Sequence, residues 1–266
     1  MKPFLKWAGG KYRIVDKIKA ALPSGKRLIE PFAGSAAVFL NTNYADNLIA
    51  DSNTDIINIY LQLQKNGKSF VNYCKTFFIK KNNIKEKFYE LREQFNETSS
   101  QPLKAALFLY LNRHCFNGLC RYNSSGKFNV PFGRYANPYF PYEEMIYFYN
   151  KSSQATFKCA DFKEIIKKAR RGDVVYCDPP YVPLSKTSNF TAYTQGGFGR
   201  LDQQQLADIA EGLQSKGIPI VISNHNTPFT RHAYKTAKIE KFDVQRFISS
   251  DGDNRGTAQE LLAVFH

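Results

Sequence analysis

The stretch Val174-Val175-Tyr176-Cys177-Asp178-Pro179-Pro180-Tyr181 decides how this chain folds. Four consecutive apolar residues read as a short buried strand. The chain then changes abruptly to a carboxylate and two prolines. Proline fixes φ and removes the backbone donor, so the strand ends there and the prolyl carbonyls remain as rigid acceptors. Asp178 and a prolyl carbonyl, Pro179 for choice, can together accept both hydrogens of an exocyclic amino group. Tyr181 and the stiff Pro180 then offer an aromatic face and a fixed wall to a planar base. The plain alternative is an ordinary strand exit stiffened by prolines.

Working outward, two other stretches have the same strand-then-turn form. Residues 26–32 run into the small residues Ala33-Gly34-Ser35-Ala36-Ala37, and Asn47-Leu48-Ile49-Ala50 runs into Asp51. Further strands are expected at 219–223 and 260–265, with a helix near 203–213. Strands alternating with helices predict an α/β fold with a mostly parallel, Rossmann-like sheet covered on both faces. The middle differs. Residues 66–115 are helical in pattern, and Asn123-Ser124-Ser125-Gly126 between two short apolar segments predicts a β-hairpin near 118–135. The expected organisation is a catalytic domain from 1–55 and 145–266, interrupted at 56–144 by a helical insert carrying the hairpin. A plain subdomain of the catalytic core is the competing reading of that insert.

The formal net charge is +14. Between Lys65 and Asn137 thirteen Lys and Arg face four Glu and no Asp, so that segment carries +9 of it. Such a surface favours a nucleic-acid backbone through counterion release, and a two-stranded ribbon fits a major groove. Five scattered cysteines without paired spacing argue against a disulfide framework and a zinc site. No apolar stretch nears the ~20 residues of a membrane span, and the N-terminal segment does not read as a secretory signal. The expectation is a cytoplasmic, metal-free protein.

Small residues after the first strand, Phe32-Ala33-Gly34, let backbone approach a ligand, as nucleotide loops do. Asp51 stands where an acid commonly holds the two hydroxyls of a ribose; capping the next helix is its other reading. Gly9-Gly10-Lys11 puts a lysine beside flexible backbone, suited to a carboxylate, while the spacing of a phosphate loop is absent. A nucleoside bearing an amino acid, next to a grip for an amino group, is the description of S-adenosylmethionine beside adenine. The amino lone pair of adenine is delocalised, and two acceptors that hold it pyramidal would free it. A base in a duplex must also leave the stack.

At this point the chain resembles the Dam family of DNA adenine methylases, which act on adenine in GATC. The strings that carry the resemblance are Phe4-Leu5-Lys6-Trp7-Ala8-Gly9-Gly10-Lys11, Glu30-Pro31-Phe32, Asp178-Pro179-Pro180-Tyr181 and Ile222-Ser223-Asn224-His225. In the insert they are 108–113, 117–123 and 128–135. The resemblance implies that Trp7, Lys11, Asp51 and Asp178 contact the cofactor, with Asp161 and Phe162 around its adenine. It implies that Lys6, Leu119, Arg121 and Pro131 read base edges, and that Arg92, Asn117, Arg134 and Tyr135 hold phosphates or the orphaned partner base. It implies closure by the loop 189–193 and a monomer acting on double-stranded DNA in the nucleoid.

Three departures stand out. Ala36 replaces the second glycine of the first loop, which is tolerable if its φ is negative. Phe116 stands where relatives carry a tyrosine that fills the gap left by the flipped base. The stretch 251–256 is more acidic than expected. The nearest alternatives are methylation of RNA adenine or of a protein glutamine amide, and a DNA-binding protein whose cofactor site has decayed. Asp rather than Asn at 178, the basic insert and the retained Lys11 weigh for DNA methylation.

Overall fold

The computed structural model describes residues 1–182, 198–245 and 257–266. Its centre is a seven-stranded sheet of β1 (Arg27–Glu30), β2 (Asp46–Asp51), β3 (Ala155–Cys159), β4 (Asp173–Cys177), β5 (Ile220–His225), β6 (Lys238–Gln245) and β7 (Thr257–Phe265). The strand order is β3-β2-β1-β4-β5-β7-β6. Five strands are parallel, and β7 runs antiparallel between β5 and β6.

Alternating side chains divide the sheet between two apolar layers, as the pleat requires. Ile29, Val175, Ile220 and Ile222 face α7 (Phe162–Ile166), α8 (Arg200–Gln214) and α9 (Pro228–Ala233). Leu28, Tyr176 and Val221 pack with α1 (Val15–Ala21) and with Val38 of α2 (Ala37–Asn41). The sheet is therefore covered on both faces and α/β, as its alternating elements predict.

The insert is built from α3 (Thr54–Lys75), α4 (Lys85–Glu97) and α5 (Gln101–His114), with α6 (Tyr142–Ser152) against α3. α5 is buried along its whole second half, so its apolar run serves as the axis of this unit. The largest apolar cluster joins Phe4, Tyr60, Phe88, Phe108, Phe128 and Phe148.

The expected hairpin exists, but not as a regular ladder. Its paired backbone comprises the isolated bridges Tyr122↔Phe128 and Cys115↔Phe132, with Asn123 N donating to Lys127 O and Asn129 N to Arg121 O. The Phe128 N–H and carbonyl point away from Tyr122, and on that outer side Asn96 of α4 takes the N–H on its Oδ1 at 2.8 Å and donates Nδ2 to the carbonyl at 3.2 Å. A helix side chain thus replaces a strand neighbour.

The chain progresses from β1 to β3 in one direction and from β4 to β5 in the other. The strand order reverses between β1 and β4, and ligands of open α/β sheets bind outside the carboxyl ends at such a point. Glu30 ends β1 and Asp178 follows β4, so both carboxyls stand at that crevice.

Candidate active site and nucleic-acid interface

Asp178 is held from one side by Lys11, whose Nζ lies 3.0 Å from Oδ1. Lys11 is itself buried, donates to the Gly9 carbonyl at 2.6 Å, and sits 4.4 Å over the Tyr181 ring. One face of that ring is therefore covered by an ammonium, and a stacking base has the remaining surface. Burial pushes the Asp178 carboxyl up to about 6, with the Lys11 charge opposing the rise. The Lys11 ammonium takes one side of Oδ1, and no other donor among the described residues bonds that oxygen.

The two prolyl carbonyls are not equivalent. Gln203 donates Nε2 to the Pro180 carbonyl at 2.6 Å. The Pro179 carbonyl has no hydrogen-bond partner among the described residues. Beyond them, Tyr181 donates its hydroxyl to Glu260 Oε2 at 3.0 Å and packs edge-on to His225. Val182 N–H bonds Asn224 Oδ1 at 3.2 Å, and the Val182 carbonyl accepts from His225 Nδ1 at 2.8 Å, which fixes that ring's tautomer. Gln203, Glu260 and Asn224 were not among the residues expected to matter here. Asn224 and His225 belong to a string quoted above, but only the fold brings them to the turn 178–181.

The first loop is tighter than its sequence suggests. Gly34 has φ +45°, and a Cβ there would come 2.7 Å from Trp7 Nε1, so the indole closes on bare backbone. Ala36 has φ +57°, contrary to the negative value under which alanine would be at ease. Its left-handed backbone costs roughly 1–2 kcal/mol, and Ala36 is fully buried.

Asp51 accepts from Gly34 N and from Asn53 N, each at 2.9 Å. It does not cap the following helix; Asn53 does, accepting from Asp55 N and Ile56 N. Asp51 instead ties the end of β2 to the first loop. Burial raises its pKa against those backbone donors. Phe32 stacks on Phe162 with ring centroids 5.2 Å apart, and Asp161 caps α7 through Lys163 N.

Two buried acceptors at this crevice lack an aligned donor, Glu30 Oε1 and Asp178 Oδ1. Burial pushes Glu30 up to about 8, and nearby Asp178 adds to the rise. Buried carboxyl oxygens with acceptor capacity, a bare glycine backbone and an aromatic pair fit a ligand that carries a nucleoside.

The residues expected to meet DNA form a second group around a strained turn. Asn117 and Gly118 have φ +53° and +64°. Phe116 is 51% exposed, and its N–H bonds the Pro131 carbonyl at 2.8 Å. Lys6 reaches the same turn: a Cβ on Gly118 would meet Lys6 Cβ at 2.6 Å, and Lys6 Nζ lies 4.3 Å over the Tyr135 ring. Burial lowers the Lys6 pKa, with Arg113 adding to it. Asn112 fixes Lys6 by bonding both its N–H and its carbonyl. Leu119 lies half-buried beside them, and Pro131, Asn117 and Arg134 are exposed.

Arg121 stands apart on the exposed hairpin, with Nε on Asn129 Oδ1 at 2.8 Å and Nη2 on the Asn129 carbonyl at 3.4 Å. Arg92 is less available than expected. It donates to the Val130 carbonyl at 3.3 Å and stacks 4.6 Å from the Tyr89 ring, so it braces the hairpin. The segments 189–193 and 251–256 lie outside the described residues. Among the described residues no cluster of His, Cys, Asp and Glu could hold a metal ion, and no helix is long and apolar enough to cross a membrane.

Comparison with known proteins gives a consistent answer. Residues 7–248 match the family of D12 class N6 adenine-specific DNA methyltransferases. The chain is 49% identical to a DNA adenine methylase of Serratia marcescens over 99% of its own length and 98% of that protein's. It is 47% identical to the DNA adenine methylase of Escherichia coli K12, covering 99% and 95%. A DNA adenine methylase of Vibrio cholerae is 46% identical, covering 99% and 96%.

Proposed function

The chain belongs to the D12 class N6 adenine-specific DNA methyltransferases and is an adenine-specific DNA methyltransferase; from that premise we propose that it methylates adenine N6 within double-stranded GATC, using S-adenosylmethionine and a base turned out of the helix. The observation that carries this reading is the Asp178 carboxyl beside a Pro179 carbonyl that has no hydrogen-bond partner among the described residues, at the reversal point of the sheet. An amino group offers two hydrogens, and these two acceptors match them.

Lys11, Trp7, Phe32, Gly34, Asp51, Asp161 and Phe162 are the residues that would hold the cofactor. When bound, it supplies a methyl group on a sulfonium, an electrophile that needs no further activation. The protein's own part is positioning and electrostatics. Asp178 and Pro179 would hold the amino nitrogen pyramidal, freeing its lone pair to take the methyl as the sulfonium–methyl bond breaks and a neutral thioether leaves. That nitrogen then sheds one proton, which Asp178 accepts and passes to solvent. Pro180 and Tyr181 limit the tilt of the base. Lys6, Leu119, Arg121 and Pro131 read base edges, Phe116 fills the space the base leaves, and Arg92, Asn117, Arg134 and Tyr135 meet backbone or the orphaned base. The enzyme acts as a monomer on nucleoid DNA in the cytoplasm.

The test is a labelled-methyl assay on two duplexes differing only at GATC. Labelling of the GATC duplex alone is the expected result. Equal labelling of both ends the sequence assignment and leaves the family assignment intact.

A further inference from the structure

Gln203 makes one bond to the catalytic turn and is itself locked in place. It sits in the first turn of α8 at 2% exposure, with Nε2 on the Pro180 carbonyl at 2.6 Å. Its Oε1 accepts from Asn224 Nδ2 at 3.0 Å, and the Tyr234 hydroxyl lies 3.4 Å away. Asn224 Nδ2 also donates to the Tyr234 hydroxyl at 3.1 Å. Asn224 and Tyr234 are fully buried, so an amide, an amide and a phenol from three elements define one orientation of the Gln203 side chain. A buried network of this kind specifies geometry when every member is paired.

Resting on the amino-group reading above, we propose that Gln203 is a positioning residue that selects which prolyl carbonyl faces the substrate. The Pro179 and Pro180 carbonyls lie on successive peptide planes joined at the Pro180 Cα, where the ring fixes φ and leaves ψ as the free rotation. By taking the Pro180 carbonyl, Gln203 fixes that ψ, keeps this carbonyl turned to α8 and leaves the Pro179 carbonyl as the second acceptor beside Asp178. Gln203 touches neither substrate nor cofactor. Its effect passes through one peptide group, and a misplacement of about 1 Å at a reacting centre is worth roughly 100-fold in rate.

The discriminating variant is Gln203→Glu. Its protonated carboxyl can still donate to the Pro180 carbonyl and accept from Asn224, whereas the ionised form has no donor. Burial favours the protonated form, so the switch between them falls near neutrality. Among titratable groups, Asp178 and Cys177 lead into the turn that Gln203 bonds, and Tyr234 touches Gln203 itself. Burial drives the last two upward, which leaves them protonated throughout the range.

Single-turnover rates of wild type, Gln203→Glu and Gln203→Leu would be measured between pH 6.5 and 9 with saturating S-adenosylmethionine and a GATC duplex. Gln203→Leu should lose about 100-fold, with dissociation constants for both ligands within about threefold of wild type. The Gln203→Glu to wild-type ratio should rise at least tenfold as the pH falls across that range. A flat ratio in folded protein, or rates within threefold of wild type for both variants, overturns the proposal. Asp178→Ala is run alongside: if it is inactive while the Gln203 variants behave as wild type, only this inference fails. If Asp178→Ala keeps the wild-type rate, the amino-group reading itself is lost.

Discussion

Replacing Lys11 by Met removes the cation that, among the described residues, pairs with Asp178, with little change in side-chain length. At 3.0 Å and an effective dielectric constant of about 20, the pair interaction is roughly 5 kcal/mol, of which partial solvation leaves about 3–5. At 1.36 kcal/mol per pH unit this amounts to roughly 2–4 units on the carboxyl. Asp178 starts at about 6, raised by burial and held down by Lys11. In Lys11→Met its ionisation should therefore move to about pH 8 or above.

At pH 7 no more than about a tenth of the variant then carries the acceptor form of Asp178. The assay is the pH dependence of kcat/KM for a GATC duplex between pH 5 and 9.5. Wild type should fall tenfold per unit below about pH 6, and the variant should show the same limb displaced upward by at least one and a half units, with recovery at high pH.

Stability gives an independent check of sign. The folded Asp178 pKa lies above its unfolded value, so the folded chain keeps a proton that the unfolded chain releases. Stability attributable to this group is therefore full below about pH 4 and declines as the pH rises through the folded value. Urea unfolding of Lys11→Met should show a steeper loss between pH 6 and 9 than wild type. An acid limb that stays near pH 6 in the variant would refute the claim that Lys11 sets the charge state of Asp178.

Other outcomes follow from the same geometry. Gly118→Ala places a Cβ at φ +64°, 2.6 Å from Lys6 Cβ; unfolding should show a loss of about 2–4 kcal/mol, accompanied by weaker binding of GATC duplex. Arg121→Ala should relax guanine discrimination by about 1–3 kcal/mol, read by competition between GATC and duplexes altered at one guanine, with turnover on GATC at saturation little changed. Glu30→Gln removes a carboxyl pushed to about 8 by burial. The folded chain no longer holds an extra proton, so the fall in wild-type stability between about pH 5 and 8 should flatten in the variant's urea-unfolding profile.

Much of the sheet was legible because parallel strands buried on both faces are short apolar runs. The segments at 174–177, 219–223 and 47–50 needed only that signal and a polar stop. β3 and β6 were not legible. They lie at the two edges, and β3 buries one residue of five, so Ala155–Cys159 shows neither an apolar run nor clear alternation. The antiparallel setting of β7 is a matter of tertiary pairing that no local pattern expresses.

The proposed base-gripping turn announced itself through a carboxylate followed by two prolines. Its supports did not, because Gln203, Asn224, Tyr234 and Glu260 are ordinary polar residues until α8, β5, α9 and β7 converge. Ala36 shows the reverse: alanine in place of the second glycine would be at ease only with a negative φ, and the tight bond from Ala36 N to the Ala33 carbonyl at 2.7 Å accompanies a left-handed backbone. The hairpin was visible from its Asn-Ser-Ser-Gly turn, whereas its bracing by Asn96 and Arg92 depends on where α4 docks.

The most direct test of an Asp178–Pro179 grip on adenine is nucleoside mass spectrometry of a GATC duplex after single turnover by wild type and by Asp178→Ala. Wild type should convert the GATC adenine, and no other adenine, to N6-methyladenine. The variant, folded by circular dichroism, should form less than about a hundredth as much in the same time, in line with the loss of a preorganised electrostatic contact. N6-methyladenine from Asp178→Ala at a rate near wild type would contradict the account.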